Sequence, residues 1–353
     1  MAGYYVNPHV KGCTRVFPGQ GRYGYYRYDM NENPEGLPGW FVGKVLAEIT
    51  PGFLATYPEP DVFLHKYAAF IGAGYGNVLA TNGSDMAIRY ILEVFCQKGK
   101  KVVTASPTFE MYAVNCSILG LVHVPVSYEA DLSFDINKLL AAIDQDTDVV
   151  VLLNPNNPVG TAYTDEETDA VIKKAEENGA IVIIDEAYHY FYDKTFVKKA
   201  LKYSNVAVLR TFSKLFSLAA CRLGVVISSS EIIGYIKKSR LTFDANAVAL
   251  KFAERAIEEP GLVEWLVSTE KQGKKYIMSR LREEGYEAMD GLGNYIFIKT
   301  HRDPHETAAR LKEEEKVLVK TFGSPLLAGY IRVSTGSEKA MAFFMDKFLK
   351  ADC

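Results

Sequence analysis

Four stretches of the sequence place chemically useful side chains just after apolar runs. Lys214 follows VAVL in the stretch TFSK, Asp185 ends AIVIID, Asn157 follows VVVLLNP, and Gly83 opens a helical stretch after LATN. A lysine amine can add to a carbonyl carbon, and a buried carboxylate can hold a ring nitrogen in its protonated form. A glycine at a helix start leaves backbone N–H groups free to bind an anion. Each residue alone fits a cap, a turn or a surface charge, but together they predict one site.

The elements that must position these residues alternate between strand and helix. Short β-branched runs, which are typical of buried parallel strands, occupy 101–105, 149–155, 180–188, 206–210 and 223–229. Helical spacing occupies 84–98, 110–119, 136–143 and 165–178 between them. This alternation predicts an α/β fold with a mostly parallel central sheet flanked by helices. Ligands of such sheets bind at the carboxyl ends of the strands, where the four stretches lie.

The sequence pattern changes near residue 245. Long charged helical stretches follow, at 246–285, 303–316 and 337–349, around the short strand-like runs NYIFIK and YIRVS. We therefore predict a large α/β domain over 36–245 and a smaller α+β domain over 246–353. Residues 1–35, rich in Tyr, Gly and Pro, fit no regular element and are expected to form an ordered arm.

Composition excludes several classes of function. The 353 residues carry a net charge of -3 without a block of like charges, so neither nucleic acid nor a membrane is expected as a partner. The five cysteines form no CxxC pair and the six histidines no metal-binding motif, so no disulfide framework or metal site is expected. The sequence shows neither a signal peptide nor a transmembrane run, and we predict a cytoplasmic protein with reduced thiols.

A lysine, a carboxylate and an anion site match the needs of pyridoxal 5'-phosphate (PLP), whose aldehyde, pyridine nitrogen and phosphate require these three partners. The sequence resembles the fold-type I PLP-dependent aminotransferases, specifically the histidinol-phosphate aminotransferase-like family. The resemblance spans nearly the whole chain, and its motifs are NENPEG (31–36), TYPEP (56–60), NGSD (82–85), PTFEMY (107–112), NPNNPVG (154–160), DEAY (185–188), TFSKLFSLAACR (211–222) and IRVSTG (331–336).

The resemblance implies roles for the residues around the cofactor ring. Lys214 corresponds to the Schiff-base lysine, which then moves a proton between the substrate Cα and the cofactor. Asp185 corresponds to the partner of the pyridine nitrogen, and Phe109 to the residue stacked on the ring. Asn157 and Tyr188 correspond to the hydrogen-bonding partners of the phenolic oxygen.

The resemblance also implies a phosphate site and a homodimer. Backbone N–H groups, hydroxyls and one guanidinium would hold the phosphate, and they come from Gly83, Ser84, Asp85, Thr211, Ser213 and Arg222. In the family, the tyrosine that corresponds to Tyr57 reaches the cofactor of the neighbouring subunit. The chain is therefore expected to work as a homodimer in which Tyr57 acts across the interface.

Substrate residues are implied at four positions. Arg332 corresponds to the arginine that binds the substrate α-carboxylate, and Asn33 lies in the loop near the substrate side chain. Family members usually have a second arginine where this chain has Lys320, and frequently a tyrosine where it has Glu35. Both differences weaken a phosphate site. The expected reaction is transamination of an amino acid, or of an amino-alcohol phosphate such as histidinol phosphate, with a 2-oxo acid such as 2-oxoglutarate. A neutral or basic side chain is expected to be preferred over histidinol phosphate.

Two other functions fit parts of the sequence. A related PLP enzyme could decarboxylate a phosphorylated amino acid such as O-phosphothreonine, although those enzymes usually carry an HGGN-like motif where NENP stands here. A PLP-fold regulator or scaffold would have no use for the lysine, and Lys214 is present.

Overall fold

The computed structural model describes residues 3–13, 15, 17, 19 and 21–353. Its centre is a seven-stranded sheet with the order β2-β8-β7-β6-β5-β3-β4. The strands span β2 Val78–Thr81, β3 Lys101–Ser106, β4 Val122–Ser127, β5 Thr147–Leu153, β6 Ile181–Asp185, β7 Val206–Thr211 and β8 Gly224–Ser228. Alternate residues of a strand face opposite helix layers: Val182 and Ile184 belong to one apolar cluster and Ile183 to another. The predicted fold class is confirmed.

The carboxyl ends of the three central strands lie level with one another. Asp185 is paired in register with Leu153 of β5 and with Leu209 of β7. Residues that follow these strands must therefore emerge at the same edge of the sheet. This register brings together side chains that are far apart in the sequence.

One strand direction differs from the sequence-based prediction. The run 223–229 was expected to be a parallel strand, but β8 is antiparallel to both β2 and β7. The prediction was wrong here because an apolar run indicates burial and does not indicate direction. The segment from Phe212 to Leu223 joins β7 to β8 without a crossover helix, so β8 returns along its neighbour.

Helices cover both faces of the sheet and continue to the end of the chain. Their spans are α1 Pro8–Lys11, α2 Gly39–Leu46, α3 Pro51–Leu54, α4 Asp61–Phe70, α5 Gly83–Phe95, α6 Met111–Leu119, α7 Ile136–Ala142, α8 Asp165–Glu177, α9 Val197–Lys202, α10 Ser230–Ser239, α11 Ala247–Glu258, α12 Leu262–Glu283, α13 Pro304–Glu313 and α14 Glu338–Asp352. Within the described residues, none combines the length and the apolar character needed to cross a membrane.

The C-terminal part has its own sheet, with β10 Tyr295–Lys299 between β9 Ala288–Asp290 and β12 Tyr330–Ser334. Helix α11 packs on the core of the large sheet, and α12 contributes Leu266 to that core and Ile277 to the C-terminal one. Helix α12 therefore connects the two cores. The domain division at residues 35 and 245 stays a prediction.

The N-terminal arm includes regular elements that were not expected. Besides α1, the strand β1 Tyr26–Arg27 pairs in parallel with β11 Val317–Leu318. Tyr28 is buried beside this pair, and its hydroxyl donates to the carbonyl oxygen of Ala340 at 2.9 Å. A two-residue strand is too short to show a period in the sequence. Residues 1, 2, 14, 16, 18 and 20 of the predicted arm lie outside the described residues.

Candidate functional site

Lys214 lies just beyond the carboxyl end of β7, and its amine faces the N-terminal arm. Its Nζ donates a hydrogen bond to the carbonyl oxygen of Met30 at 2.8 Å. Burial, together with the nearby positive charge of Arg332, lowers the pKa of Lys214 to about 8. A lysine with such a pKa yields a free, nucleophilic amine near neutral pH.

Asp185 ends β6 and is fully enclosed. The Tyr112 hydroxyl donates to its Oδ2 at 2.8 Å, and the Ala187 backbone N–H donates to its Oδ1 at 3.1 Å. Burial raises the pKa of Asp185 to about 6, while these two hydrogen bonds act in the opposite direction. A carboxylate in this setting gains from a cationic partner, because a positive charge removes the penalty of burial.

Arg332 and Asn157 are in direct contact, although 174 residues separate them in the sequence. The guanidinium donates through Nη1 to Asn157 Oδ1 and through Nη2 to the carbonyl oxygen of Asp29 at 3.0 Å. Its Nε is buried and has no hydrogen-bond partner among the described residues. A buried donor without a partner is costly, so Arg332 has capacity for an anionic ligand.

Tyr188 lies in the same group. Its hydroxyl accepts a hydrogen bond from Asn31 Nδ2 at 2.8 Å, and burial raises its pKa to about 12. The side chain packs edge-on against Tyr295, whose ring also lies under the Arg332 guanidinium. The predicted residues Tyr188, Asn157 and Arg332 are thus neighbours in space.

The start of α5 forms a cradle beside Arg222. Gly83 has φ of +75°, and a Cβ built on it would lie 2.6 Å from Arg222 Nη2. Arg222 also donates to Asp85 Oδ2 at 2.9 Å. At Gly224 a Cβ would overlap the Ser84 backbone nitrogen, so strand β8 contacts the helix start without a side chain between them. The Arg222 guanidinium and the N-terminus of α5 therefore lie side by side, which is an arrangement that can bind an anion.

The other predicted phosphate residues lie around this cradle. Ser213 is buried, and its Oγ accepts a long hydrogen bond of 3.4 Å from Arg222 Nη1. The Thr211 hydroxyl oxygen accepts from the Ser213 backbone N–H at 3.1 Å. Ser84 follows Gly83 in the first turn of α5. Phe109 is half-buried and packs on the apolar cluster that includes Tyr112.

Tyr57, the residue predicted to act across the interface, is largely exposed. Its side chain is 72% exposed and stacks on Phe243 with ring centroids 4.2 Å apart. Phe243 is itself 51% exposed. Tyr57 and Phe243 therefore form a stacked pair that is largely accessible to solvent.

The predicted substrate residues differ in their positions. Asn33 donates to the carbonyl oxygen of Gly36 at 3.1 Å and to Ser217 Oγ at 2.9 Å, which fixes the NENP loop. Glu35 is exposed at the edge of a cavity that Lys214 also lines. The backbone of Lys320 pairs with that of Arg332 and therefore lies next to it, but the Lys320 residue itself is exposed to solvent.

Three contact residues were not predicted: Tyr112 on Asp185, Asn31 on Tyr188 and the Asp29 carbonyl on Arg332. Tyr112 and Asn31 lie inside the motifs PTFEMY and NENPEG, and those motifs were the available signal. Their partners are far away in the sequence, so no spacing rule could assign the pairs.

The residues present fit PLP. The glycine cradle with Arg222 leaves room where a side chain would block an anion. The buried Asp185 needs a cation, and the Lys214 amine has a lowered pKa at the same edge of the sheet. These are the three partners that the phosphate, the ring nitrogen and the aldehyde require.

Comparison with known proteins gives the same assignment. Residues 48–348 match the family described as aminotransferase class I and II. The histidinol-phosphate aminotransferase of Akkermansia muciniphila is 32% identical over 87% of this chain and 84% of its own length. That of Thermoanaerobacter sp. (strain X514) is 28% identical over 91% of both chains. The structure of the Sinorhizobium meliloti histidinol-phosphate aminotransferase in complex with pyridoxal-5'-phosphate superposes with a TM-score of 0.88, at 20% identity, over 99% and 98% of the two chains.

The match covers most of the chain and includes the strand ends described above. It agrees with the motifs that suggested the resemblance, and it does not favour the decarboxylase. The chain belongs to the aminotransferase class I and II family and is a PLP-dependent, fold-type I enzyme resembling the histidinol-phosphate aminotransferases.

Proposed function

We propose that this enzyme transfers an amino group between an amino acid and a 2-oxo acid such as 2-oxoglutarate, using the strand-end residues described above. The observation that supports this most directly is the convergence of Lys214, Asp185 and Arg332. Lys214 supplies an amine, Asp185 a buried carboxylate, and Arg332 a guanidinium whose Nε has no partner in the part of the chain that the structure describes. Transamination needs these three groups around one substrate carbon.

PLP, when bound, supplies an aldehyde for amino groups and a ring that accepts the electron pair left at the substrate Cα. Gly83, Ser84, Asp85, Thr211, Ser213 and Arg222 would hold its phosphate, and Phe109 would lie against its ring. Asn157 and Tyr188 would contact its phenolic oxygen. The Lys214 amine would take up the proton from the substrate Cα, and its lowered pKa suits a base near neutral pH.

Asp185 would keep the ring nitrogen protonated. Tyr112 and Ala187 donate to its two oxygens and hold the carboxylate in one orientation. This ionised form is costly in the absence of a cation, as its raised pKa shows. A protonated ring nitrogen supplies that cation, so cofactor and carboxylate stabilise each other.

Arg332 would bind the substrate α-carboxylate. Two of its nitrogens already donate to Asn157 and to the Asp29 carbonyl, which fixes the plane of the guanidinium. A carboxylate placed against this plane would be held in one orientation, and the Cα–H bond with it.

The active form is proposed to be a homodimer. Tyr57 and Phe243 form a stacked, exposed aromatic pair. An exposed aromatic pair is suited to an interface between copies. Tyr57 would then reach the phosphate held by the partner subunit. We also propose a cytoplasmic location, which the five free cysteines support.

Histidinol phosphate is a second candidate substrate, because several relatives are named histidinol-phosphate aminotransferases. Glu35 and Lys320 weaken a site for the substrate phosphate, so we favour an amino acid as the substrate. Asn33 would line the substrate side in either case.

The test is to add amino donors to the PLP-loaded enzyme and follow both the cofactor spectrum and the 2-oxo acid product. In a separate sample without amino donor, borohydride should attach the cofactor covalently to Lys214, which peptide mass spectrometry would detect. A protein that takes up no PLP at micromolar concentration contradicts the proposal. Release of carbon dioxide without a 2-oxo acid would favour the decarboxylase.

A further inference from the structure

A cavity of about 250 Å³ lies between the NENP loop and helix α12. Lys214 lines one wall, Asn33 and Glu35 line the loop side, and Trp265 and Glu270 come from α12. We call it the acidic cavity, because Lys214 is the sole cationic residue among the described residues that line it, whereas two carboxylates do so. Helix α12 carried no predicted site residue.

Glu270 is the enclosed carboxylate of the acidic cavity. The residue is 8% exposed, and the Thr335 hydroxyl donates to its Oε1. Its other oxygen accepts no hydrogen bond from the described residues. Burial raises the pKa of Glu270, and the neighbouring Lys274 opposes this shift. Lys274 is already paired with Asp290 at 2.6 Å, so its charge is shared.

The position of Glu270 is fixed relative to Arg332. Thr335 follows the last residue of β12, the strand that carries Arg332. One turn beyond Glu270, a Cβ at Gly273 would overlap the carbonyl oxygen of Gly336, so α12 contacts this segment through its backbone. Backbone contact and the Thr335 hydrogen bond together hold the carboxylate against the segment that follows β12.

We propose that the acidic cavity accepts the distal end of the amino substrate and selects a cationic or hydrogen-bond-donating group, with Glu270 as the specificity-determining residue. This inference rests on the proposed function, in which Arg332 holds the α-carboxylate and Lys214 lies beside the substrate Cα. Basic amino acids are the chemical class that fits. An anionic end such as a phosphate is repelled.

The two carboxylates contribute unequally to this selection. Glu270 is enclosed, so a cation beside it is weakly screened and recovers the burial penalty of the carboxylate. Glu35 is exposed at the edge of the cavity, where water and salt reduce its effect. Replacing Glu270 should therefore alter substrate preference more than replacing Glu35.

The experiment compares kcat/KM of the PLP-loaded enzyme for ornithine, lysine, leucine, glutamate and histidinol phosphate. The variants are Glu270→Gln, which keeps an acceptor for Thr335, Glu35→Gln, and Glu264→Gln as a control. Glu264 lies on α12 but is exposed in a separate groove. Thr335→Val tests the hydrogen bond between Thr335 and Glu270, because it removes the hydroxyl and keeps the carboxylate.

Wild type should prefer ornithine or lysine over leucine. Glu270→Gln should lower the basic-to-neutral ratio about tenfold, Glu35→Gln about twofold, and Glu264→Gln should leave it unchanged. Thermal unfolding of each variant separates folding defects from selectivity, and Thr335→Val retains the test of Glu270 if Glu270→Gln fails to fold. A preference for glutamate or histidinol phosphate overturns the inference, as does an equal loss for all substrates in Glu270→Gln and Thr335→Val. In either case transamination itself persists, whereas its absence with every donor would instead contradict the proposed function.

Discussion

The central sheet and the NENP loop contribute to the same site in different ways. Asp185 is 2% exposed at the end of a strand with paired neighbours on both sides. Glu35, on the loop, is exposed, and its backbone N–H is held by Asn33 at 3.1 Å. The residues proposed to perform the chemistry thus stand on rigid, buried elements, whereas most proposed to select the substrate stand on exposed ones.

This difference predicts where substitutions matter. A buried charge without its partner shifts pKa values strongly, while an exposed charge is screened by water. Changes at the strand ends should therefore affect the reaction itself, and changes on the loop should affect preference among substrates. Glu270 breaks the division, because it is a buried residue proposed to select the substrate.

The largest effect is expected from Lys214→Ala. Loss of the amine removes both the covalent attachment and the base, so kcat should fall by about 10⁴-fold or more. Stopped-flow measurement of 2-oxo acid formation checks this. Lys312→Ala, at an exposed position on α13, is the control and should retain full activity. Substantial turnover in Lys214→Ala would show that another group moves the proton.

Arg332→Lys should have the next largest effect. Lysine retains a charge but loses the planar fork and the contacts with Asn157 and the Asp29 carbonyl. We expect kcat/KM for amino acids to fall about 100-fold, or about 2.7 kcal/mol, with a smaller loss for amines that lack a carboxylate. An equal loss for both kinds of donor would assign Arg332 a purely structural role.

Asp185→Asn should stabilise the PLP-free protein in a pH-dependent way. The folded pKa is about 6 against an ordinary value of 3.8, so folded protein binds more protons between these values and loses stability as pH rises through them. At pH 7 the substitution should raise the free energy of unfolding by on the order of 1 to 3 kcal/mol, and at pH 3 by much less.

Urea unfolding at the two pH values measures this difference. Asp193→Asn is the control, because the Asp193 side chain is 84% exposed, and the free energy should change by less than about 0.5 kcal/mol. An equal gain at both pH values would mean that the carboxylate charge is not the cause.

Tyr57→Phe should have the smallest effect, since the phenyl ring can still stack on Phe243. Loss of one hydrogen bond to the partner's cofactor should weaken PLP retention by about 1 kcal/mol. Equilibrium dialysis measures the retention, and Tyr23→Phe, at a 94% exposed position, is the control. Sedimentation of a fully active monomer would contradict the proposed role of Tyr57.

Most of the large sheet could be predicted from the sequence because buried strands leave short β-branched runs, as at Val206–Thr211. The direction of β8 could not be predicted, because a buried apolar run has the same pattern in a parallel and in an antiparallel strand. Motif resemblance identified Lys214, Asp185 and Arg332 as a set. It did not identify Tyr112 or Glu270, since their hydrogen-bond partners Asp185 and Thr335 are far from them in the sequence.

The break at Gly261 inside the predicted helical stretch 246–285 was missed, although the sequence has a Pro-Gly pair at 260 and 261. Gly261 has φ of +74°, and two helices, α11 and α12, take the place of one continuous stretch. Glycine tolerates this conformation, and Pro260 before it cannot continue the hydrogen bonding of α11, so the pair ends one helix and allows the next to begin.

Gly273 restricts how this enzyme can diversify. Every substitution there adds at least a Cβ, which the Gly336 carbonyl oxygen already excludes. Single substitutions at Trp265, Thr269 or Glu270 of α12 can therefore change the substrate preference. Position 273 can change only if the segment after β12 changes at the same time. A mutant library for new donors should randomise the first three positions and leave the glycine fixed.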